Sequence, residues 1–223
     1  MKYSPELQDK FEKYVEILRD WQTRANLVAP STLNDIQHRH IDDSTQLAEY
    51  LPRVTIIDLG SGAGFPAVVL AIMGWDVICI ESIGKKTKFL EELKKQLNLP
   101  NLTVVNDRVE NFLATSTLPQ NIVFTARAFA PLIKILDYIW VYEKNLSKKS
   151  GVSSVGRISA TSAYLLKGVN VNQEIATARR KYKFNYELFP SKTGDGFIVE
   201  IKNIRKKMGE RITGPRPPLS KNV

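Results

Sequence analysis

Apolar residues recur at helical spacing from the start of the chain, where Leu7, Phe11, Tyr14, Val15 and Leu18 fall on one stripe of a segment running from Ser4 to Gln22. Ser4 is placed to cap that segment and Pro5 to open its first turn, so the pattern predicts an amphipathic helix packed against the rest of the molecule. A second helical region is expected from Ser31 to Tyr50, closed by Leu51-Pro52 because the residue before a proline is pushed out of the helical conformation. From Val54 onward the texture changes. Short apolar, β-branched runs from Val54 to Leu59, Trp75 to Glu81 and Leu102 to Asn106 alternate with helical stretches from Ala67 to Met73 and Lys85 to Leu97. The rhythm continues through Ile122 to Thr125, a helix around Leu132 to Tyr142, and Ala163 to Lys167. Such alternation predicts βαβ units wound on both faces of a mostly parallel sheet.

Two segments break the rhythm. Lys144 to Thr161 is polar, Ser-rich and basic, and reads as a loop. After a helix near Asn172 to Lys181, the alternating runs Lys183 to Phe189 and Phe197 to Lys202 flank Gly194-Asp195-Gly196, which predicts an antiparallel hairpin finishing the sheet. Ile204 to Val223 carries Arg205, Lys206, Lys207, Arg211, Arg216 and Lys221 among three prolines, the composition of a disordered basic arm. The chain therefore divides into a helical extension (1–52), an α/β domain (53–203) and a basic tail (204–223).

Composition narrows the function. A chain of 223 residues that is 43% apolar and 25% charged can bury one full core, which excludes a fibrous or largely disordered protein. The net charge of +9 favours a polyanionic partner, nucleic acid first. Cys79 is the only cysteine and lies inside the apolar run Val77 to Ile80, so no intramolecular disulfide or thiolate metal site is available and a buried structural thiol is expected. No metal is expected. The first residues lack the apolar core of a signal peptide, and the longest apolar segment, near Phe65 to Met73, is too short to span a bilayer. A cytoplasmic monomer with no membrane partner is the expectation.

The most informative stretch is Asp58-Leu-Gly60-Ser-Gly62-Ala-Gly64-Phe65-Pro66, which follows a strand and precedes a helix. Glycines at alternate positions let the backbone turn sharply and approach a ligand. Dinucleotide loops place a pyrophosphate at a helix N-terminus with G-x-G-x-x-G spacing. Here the spacing is G-x-G-x-G, and the Asp58 carboxylate repels phosphate but suits the ammonium of S-adenosylmethionine, whose carboxylate the loop N–H groups can take. At the end of the next strand Glu81 is placed to accept the ribose hydroxyls. Val109 and Glu110, after the third strand, are expected to frame the adenine. After the fourth strand, Arg127 and Phe129 pair an arginine with a ring, as a nucleobase and its phosphate require. No Asn-Pro-Pro-Tyr type element stands there, which argues against transfer to an exocyclic amine, and no cysteine stands there for a covalent pyrimidine adduct. A ring nitrogen such as guanine N7 has its own in-plane lone pair, so methyl transfer to it needs alignment and no general base. On this scheme His38 and His40 are not needed as acid or base.

These residues resemble a known family, the bacterial small-subunit rRNA guanine-N7 methyltransferase G, also called glucose-inhibited division protein B. The likeness is carried by Asn26-Leu27, His40-Ile-Asp-Asp43-Ser44, the loop from Asp58 to Pro66, Glu81-Ser82-Ile-Gly84-Lys85-Lys86 leading to Phe89-Leu90, Arg108-Val109-Glu110, Arg127-Ala-Phe-Ala130 and Leu166-Lys167-Gly168, in that order over most of the chain. It departs from the family where Ala67 follows Pro66 in place of glycine, where Glu81 replaces an aspartate, and in the length of the Ser-rich insert. The resemblance implies a class I, Rossmann-like methyltransferase with a mostly parallel seven-stranded sheet and an N-terminal helical extension. It implies transfer from S-adenosylmethionine to N7 of a guanosine in 16S rRNA, near the decoding centre. The cofactor contacts it implies fall on Gly60, Phe65, Val109, Glu110 and Arg127, with Asp58, Gly62, Gly64, Glu81 and Ser82 beside them. Lys85, Lys86, Arg127 and Lys167 are the expected RNA contacts, and Arg127 and Lys167 the positioning groups. Three other readings stand beside it: a methyltransferase for another RNA or a small molecule, a nicotinamide-dependent oxidoreductase, and a cofactor-free RNA-binding module.

Overall fold

The computed structural model describes residues 3–119, 121–150 and 161–207. The first helix, α1 (Pro5–Ala25), starts as expected, with the Ser4 hydroxyl accepting from the Leu7 N–H at 3.4 Å. Phe11, Tyr14 and Leu18 on its inner stripe are fully buried. It ends on Asn26 in the left-handed region, and the Gln22 side chain fixes the exit by accepting from the N–H groups of Leu27 and Val28, both at 3.0 Å.

The helical region expected from Ser31 to Tyr50 is present and is wound as four short pieces: a 3-10 turn (Pro30–Asp35), a π-helical turn (Gln37–Asp42), one α-turn, α2 (Asp43–Thr45), and a second 3-10 turn (Gln46–Glu49). Polar side chains compete for the backbone here: Ser44 donates to the His40 carbonyl at 2.7 Å and Thr45 to that of Asp42 at 3.0 Å. The Arg39 carbonyl is taken by a side chain from outside the segment, Arg127, at 3.0 Å. Helical periodicity was present, but tertiary bonds set the winding.

The sheet has seven strands in the order β3-β2-β1-β4-β5-β7-β6: β1 (Thr55–Leu59), β2 (Val77–Glu81), β3 (Leu102–Asn106), β4 (Ile122–Arg127), β5 (Ser162–Lys167), β6 (Tyr182–Pro190) and β7 (Phe197–Lys206). β1 to β5 are parallel, and β7 is antiparallel to both β5 and β6. The seven-stranded, mostly parallel sheet is the one anticipated. Strand order reverses between β1 and β4, and the crevice beyond their carboxyl ends is where open α/β sheets bind ligands. Register brings Asp58 level with Cys79 on β2 and Thr125 on β4, and Arg127 level with Leu166 on β5.

Two apolar layers sandwich the sheet. On one face α1, α3 (Ala67–Ile72) and α4 (Gly84–Gln96) pack around Phe11, Leu70 and Phe89. On the other, α5 (Val109–Thr115), α6 (Leu132–Ser150) and α7 (Val171–Ala178) pack around Phe124, Ile139 and Tyr182. The helical extension thus shares the core of the α/β unit. Cys79 is buried in the first layer, as its apolar setting predicted.

Two boundaries move. The loop expected from Lys144 begins as helix, because α6 continues to Ser150: Asn145 donates to the carbonyls of Leu113 (3.4 Å) and Ser116 (3.1 Å) at the end of α5, and Ser147 is buried. Composition read these polar residues as solvated, whereas Asn145 finds its partners about 30 positions away and Ser147 bonds back to the Glu143 carbonyl of its own helix. Residues 151–160 of that insert lie outside the described residues. The boundary at 203/204 falls inside β7, whose Ile204 is fully buried; the rest of the expected basic tail, from 208, lies outside the described residues.

Gly64 shows how tightly α1 is seated. Its φ is +90°, and a Cβ there would stand 2.6 Å from Val68 Cγ2 and 2.8 Å from the Tyr14 hydroxyl. Gly64→Ala is expected to destabilise the fold by about 2–4 kcal/mol, from left-handed strain plus overpacking. A urea midpoint equal to the native one would show that the contact is not needed.

Candidate active site

A cleft of about 530 Å³ opens at the carboxyl ends of β1, β2 and β4. Gly60, Gly62, Phe65, Glu81, Ser82, Val109, Glu110 and Arg127 all line it, and so does Lys86. Glu81 is buried, and two backbone donors fix its carboxylate: Gly62 N–H to Oε2 at 2.9 Å and Ile83 N–H to Oε1 at 2.7 Å. Each oxygen keeps a lone pair for a ligand. Gly60 has φ +67°, and a Cβ would lie 2.1 Å from the Phe129 ring, so the ring rests directly on this turn.

Two expected cofactor contacts are not on the cleft wall. Gly64 faces α1, as described, and its missing side chain serves packing. Asp58 is buried beneath the loop, where Oδ1 accepts from the Thr125 hydroxyl at 2.8 Å and Oδ2 has no partner. The alternation of a strand carried Asp58 inward, so direct contact with an ammonium in the cleft is corrected to a charge lying under the loop. An orphaned buried carboxylate oxygen is nonetheless what a nearby cation would relieve.

Arg127, at the tip of β4, gathers the helical extension. Its Nε lies 3.2 Å from Asp43 Oδ2, and its Nη2 donates to the Arg39 carbonyl at 3.0 Å and meets His40 Nδ1 at 2.5 Å. Nη1 is buried without a partner. His40 stacks on Phe65 at 4.9 Å, Phe65 stacks on Tyr14 at 5.1 Å, and the Tyr14 hydroxyl donates to the Ala63 carbonyl at 2.5 Å. The extension therefore braces the glycine loop from behind and supplies His40, Thr32 and Leu27–Ala29 to the cleft. Site selection from sequence missed these residues, although Leu27 and His40 stood in stretches that carried the family likeness.

Burial lowers His40 from 6.5 to about 4, with the Arg127 and Arg39 charges adding to the effect. Burial raises Asp58 from 3.8 to about 6. The signs oppose. As pH falls from 6.5 toward 4 the unfolded chain protonates its histidine and native His40 does not, so stability is lost. As pH falls through 6 toward 3.8, native Asp58 takes a proton before its unfolded counterpart, so stability is regained. Asp58→Asn removes only the second effect and is expected to steepen the acid loss by about 2–3 kcal/mol between pH 7 and 4. Parallel urea titrations that keep the native slope would contradict this.

Across Arg127, Ala128 and Phe129 lies a second cleft of about 510 Å³, walled by the ends of β4 and β5, Glu174 of α7 and the β6–β7 turn. Lys167 is here, apart from the first cleft, with its ammonium 2.8 Å from Glu174 Oε2 and 2.7 Å from the Ala130 carbonyl. Lys85 lines neither cleft and stands exposed at the start of α4. The β6–β7 turn is tied to the extension: Thr193 donates to Asp43 Oδ1 at 2.8 Å, Lys192 N–H to Gln46 Oε1 at 3.0 Å, and Lys192 Nζ pairs with Glu49 at 2.5 Å. Among the described residues no helix is long and apolar enough to cross a membrane, and no cluster of histidine, cysteine and carboxylate groups could hold a metal ion.

A family model described as GidB, rRNA small subunit methyltransferase G, matches residues 7–193. Similar proteins include the ribosomal RNA small subunit methyltransferase G of Rhodopseudomonas palustris (strain TIE-1), 35% identical over 208 residues that cover 90% of this chain and 86% of that protein. Another is the protein of the same name from Orientia tsutsugamushi (strain Ikeda), 39% identical over 204 residues, 89% of this chain and 92% of that one. Among solved structures, the glycopeptide N-methyltransferase MtfA complexed with S-adenosyl-L-methionine superposes with a TM-score of 0.51 at 9% identity, over 73% of this chain and 86% of that chain, a likeness of fold alone.

Proposed function

Since the chain belongs to the rRNA small subunit methyltransferase G family, we propose that it transfers a methyl group from S-adenosylmethionine to N7 of a guanosine in 16S rRNA, in the loop near the decoding centre. The observation that carries this reading is the pairing of two clefts across Arg127, one with a fixed ribose-type carboxylate and one walled by the strand ends and turn beside it.

The residues present fit the cofactor. Glu81, beside Ser82, is set by two backbone donors to accept from ribose hydroxyls. Val109 and Glu110, at the start of α5, line the same cleft and would hold the adenine. Gly60 and Gly62 would let the backbone approach the amino acid end, Asp58 lies beneath the loop as a negative charge, and Arg127 has a buried N–H unused. When bound, S-adenosylmethionine supplies an electrophilic methyl on a sulfonium, which departs as a neutral thioether. The guanine N7 lone pair accepts that methyl, and no proton need move. His40, at about 4, stays neutral at pH 7 and acts as an acceptor for Arg127 with no part in proton transfer. The chain's contribution is alignment, worth several kcal/mol and up to about 10 in favourable cases.

The net charge of +9 supports an RNA partner, with Lys85 and Lys86 at the start of α4 as phosphate contacts. Arg127 is the one expected RNA contact that borders both clefts, and Lys167 acts in the second. The same reading includes a monomer working in the cytoplasm. The test is incubation of purified protein with labelled S-adenosylmethionine and either naked 16S rRNA or small-subunit particles, followed by mapping of the modified nucleotide. One 7-methylguanosine is expected. Label on an exocyclic amine, label confined to small molecules, or heat on titration with NADH and none with S-adenosylhomocysteine would each defeat the reading.

A further inference from the structure

The second cleft has a chemical polarity that the transfer itself does not explain. Its volume of about 510 Å³ lies in the range of small-ligand sites, and Phe129, Leu166 and Phe197 give it apolar walls. Three carboxylates border it, and they are not equivalent. Asp43 is committed to Arg127, Thr193 and Gln46, at the wall shared with the cofactor cleft. Asp195 is exposed in the hairpin turn, with no bond among the described residues to fix it. Glu174 is fixed through one oxygen only: Oε2 accepts from Lys167 Nζ at 2.8 Å and from the Leu132 N–H at 2.6 Å, while Oε1 has no bond among the described residues. Lys167 in turn uses two of its three N–H donors, on Glu174 and on the Ala130 carbonyl. An ammonium with one donor to spare thus stands beside a carboxylate with one free oxygen, where the end of β5 meets α7.

We propose that Glu174, held by Lys167, reads the Watson–Crick edge of the target guanine, an assignment that rests on the guanosine-N7 reading given above. For N7 to face the cofactor cleft, the N1 and N2 side of the purine must point away from Arg127, toward the Lys167–Glu174 pair. That edge presents an acceptor at O6 and donors at N1 and N2. The ammonium can only donate and the carboxylate can only accept, so the pair matches guanine at each position and opposes adenine, which presents a donor at N6 and an acceptor at N1. A base that leaves these half-buried groups unpaired is rejected more strongly than one that merely fits poorly. Methylation at N7 also leaves the purine cationic, so the Glu174 charge interacts more strongly as the methyl arrives than in the ground state.

The test is a cycle between protein and base. Small-subunit particles are reconstituted with semisynthetic 16S rRNA carrying guanosine or inosine, which lacks the N2 amine, at the position the wild-type enzyme methylates. Wild type is expected to lose about 10- to 100-fold in kcat/KM on inosine. Glu174→Gln is expected to lose about as much on guanosine, mainly in kcat, and then to distinguish the two bases by less than about threefold, while binding S-adenosylhomocysteine as wild type does. If Glu174→Gln does not fold, Lys167→Met with 6-thioguanosine, which keeps the N1–H and the N2 amine but weakens the acceptor at position 6, provides the same cycle on the other half of the pair. Additive losses in the cycle, or a wild-type enzyme indifferent to the missing amine, overturn the assignment of Glu174 and leave the N7 reading standing. A wild-type enzyme that methylates no guanosine in the particle overturns both.

Discussion

Gly60→Val is expected to weaken S-adenosylhomocysteine binding by at least about 100-fold while the chain still folds. The argument is local. Gly60 adopts φ +67°, and its missing Cβ would stand 2.1 Å from Cδ2 of Phe129. A β-branched residue cannot hold that backbone cheaply, and the ring above it cannot stay in place. Relief therefore moves the glycine turn and Phe129, which form one side of the nucleoside cleft, and with the turn goes the Gly62 N–H that fixes Glu81. The clash falls at the rim of a cleft, on a ring that packs on the edge of the second apolar layer and is not one of its buried residues, so a cost of about 3–4 kcal/mol leaves a domain of ordinary stability folded. Calorimetric titration beside a thermal melt separates the two effects, and native affinity in a folded variant would defeat the assignment of this loop.

Arg127→Ala is expected to lower methyl transfer by about 100- to 1,000-fold, with a much smaller loss of stability. One guanidinium serves the Asp43 carboxylate, the Arg39 carbonyl and the His40 ring, so its loss frees the π-helical turn that walls both clefts. A second readout follows from electrostatics. Arg127 is the leading charge that depresses His40, after burial, and without it His40 should titrate closer to 6.5 in a proton NMR titration. Arg127→Lys should not rescue turnover, because a single ammonium cannot reproduce the planar fork. Unchanged turnover in the alanine variant would remove Arg127 from the site.

The two periods in the sequence, near 3.6 and 2, sufficed for the sheet and its flanking helices because Phe11, Tyr14 and Leu18 or Ile56 and Leu59 take their burial from local geometry. Glu81 and Gly60 were legible for a similar reason: the end of a strand and the turn after it fix where they point. Gly64 was misassigned because its empty side is filled by Tyr14, a contact 50 residues away in sequence that no local pattern encodes. Asp58 was placed one layer too high, since strand alternation carried its side chain under the loop. The segment from Ser31 to Tyr50 was legible as helical, but its winding into 3-10, π and α turns was not, because Arg127, which takes a carbonyl from it, is distant in sequence. Glu174 carried no signal at all. It is one acidic residue on an amphipathic helix, and only its meeting with Lys167 and the Leu132 N–H gives it a chemical identity.

The ties between the β6–β7 turn and the helical extension join residues far apart along the chain: Thr193 and Asp43 are 150 positions from each other, and Lys192 and Gln46 are 146. Contacts of such span close late in folding, since the intervening polymer must first be ordered. During synthesis, then, the glycine loop and its carboxylate can emerge and pack well before the outer wall of the neighbouring cleft exists. Until that last hairpin is made, Asp43 and Gln46 lack Thr193 and Lys192 as partners, and the neighbouring cleft has no outer wall.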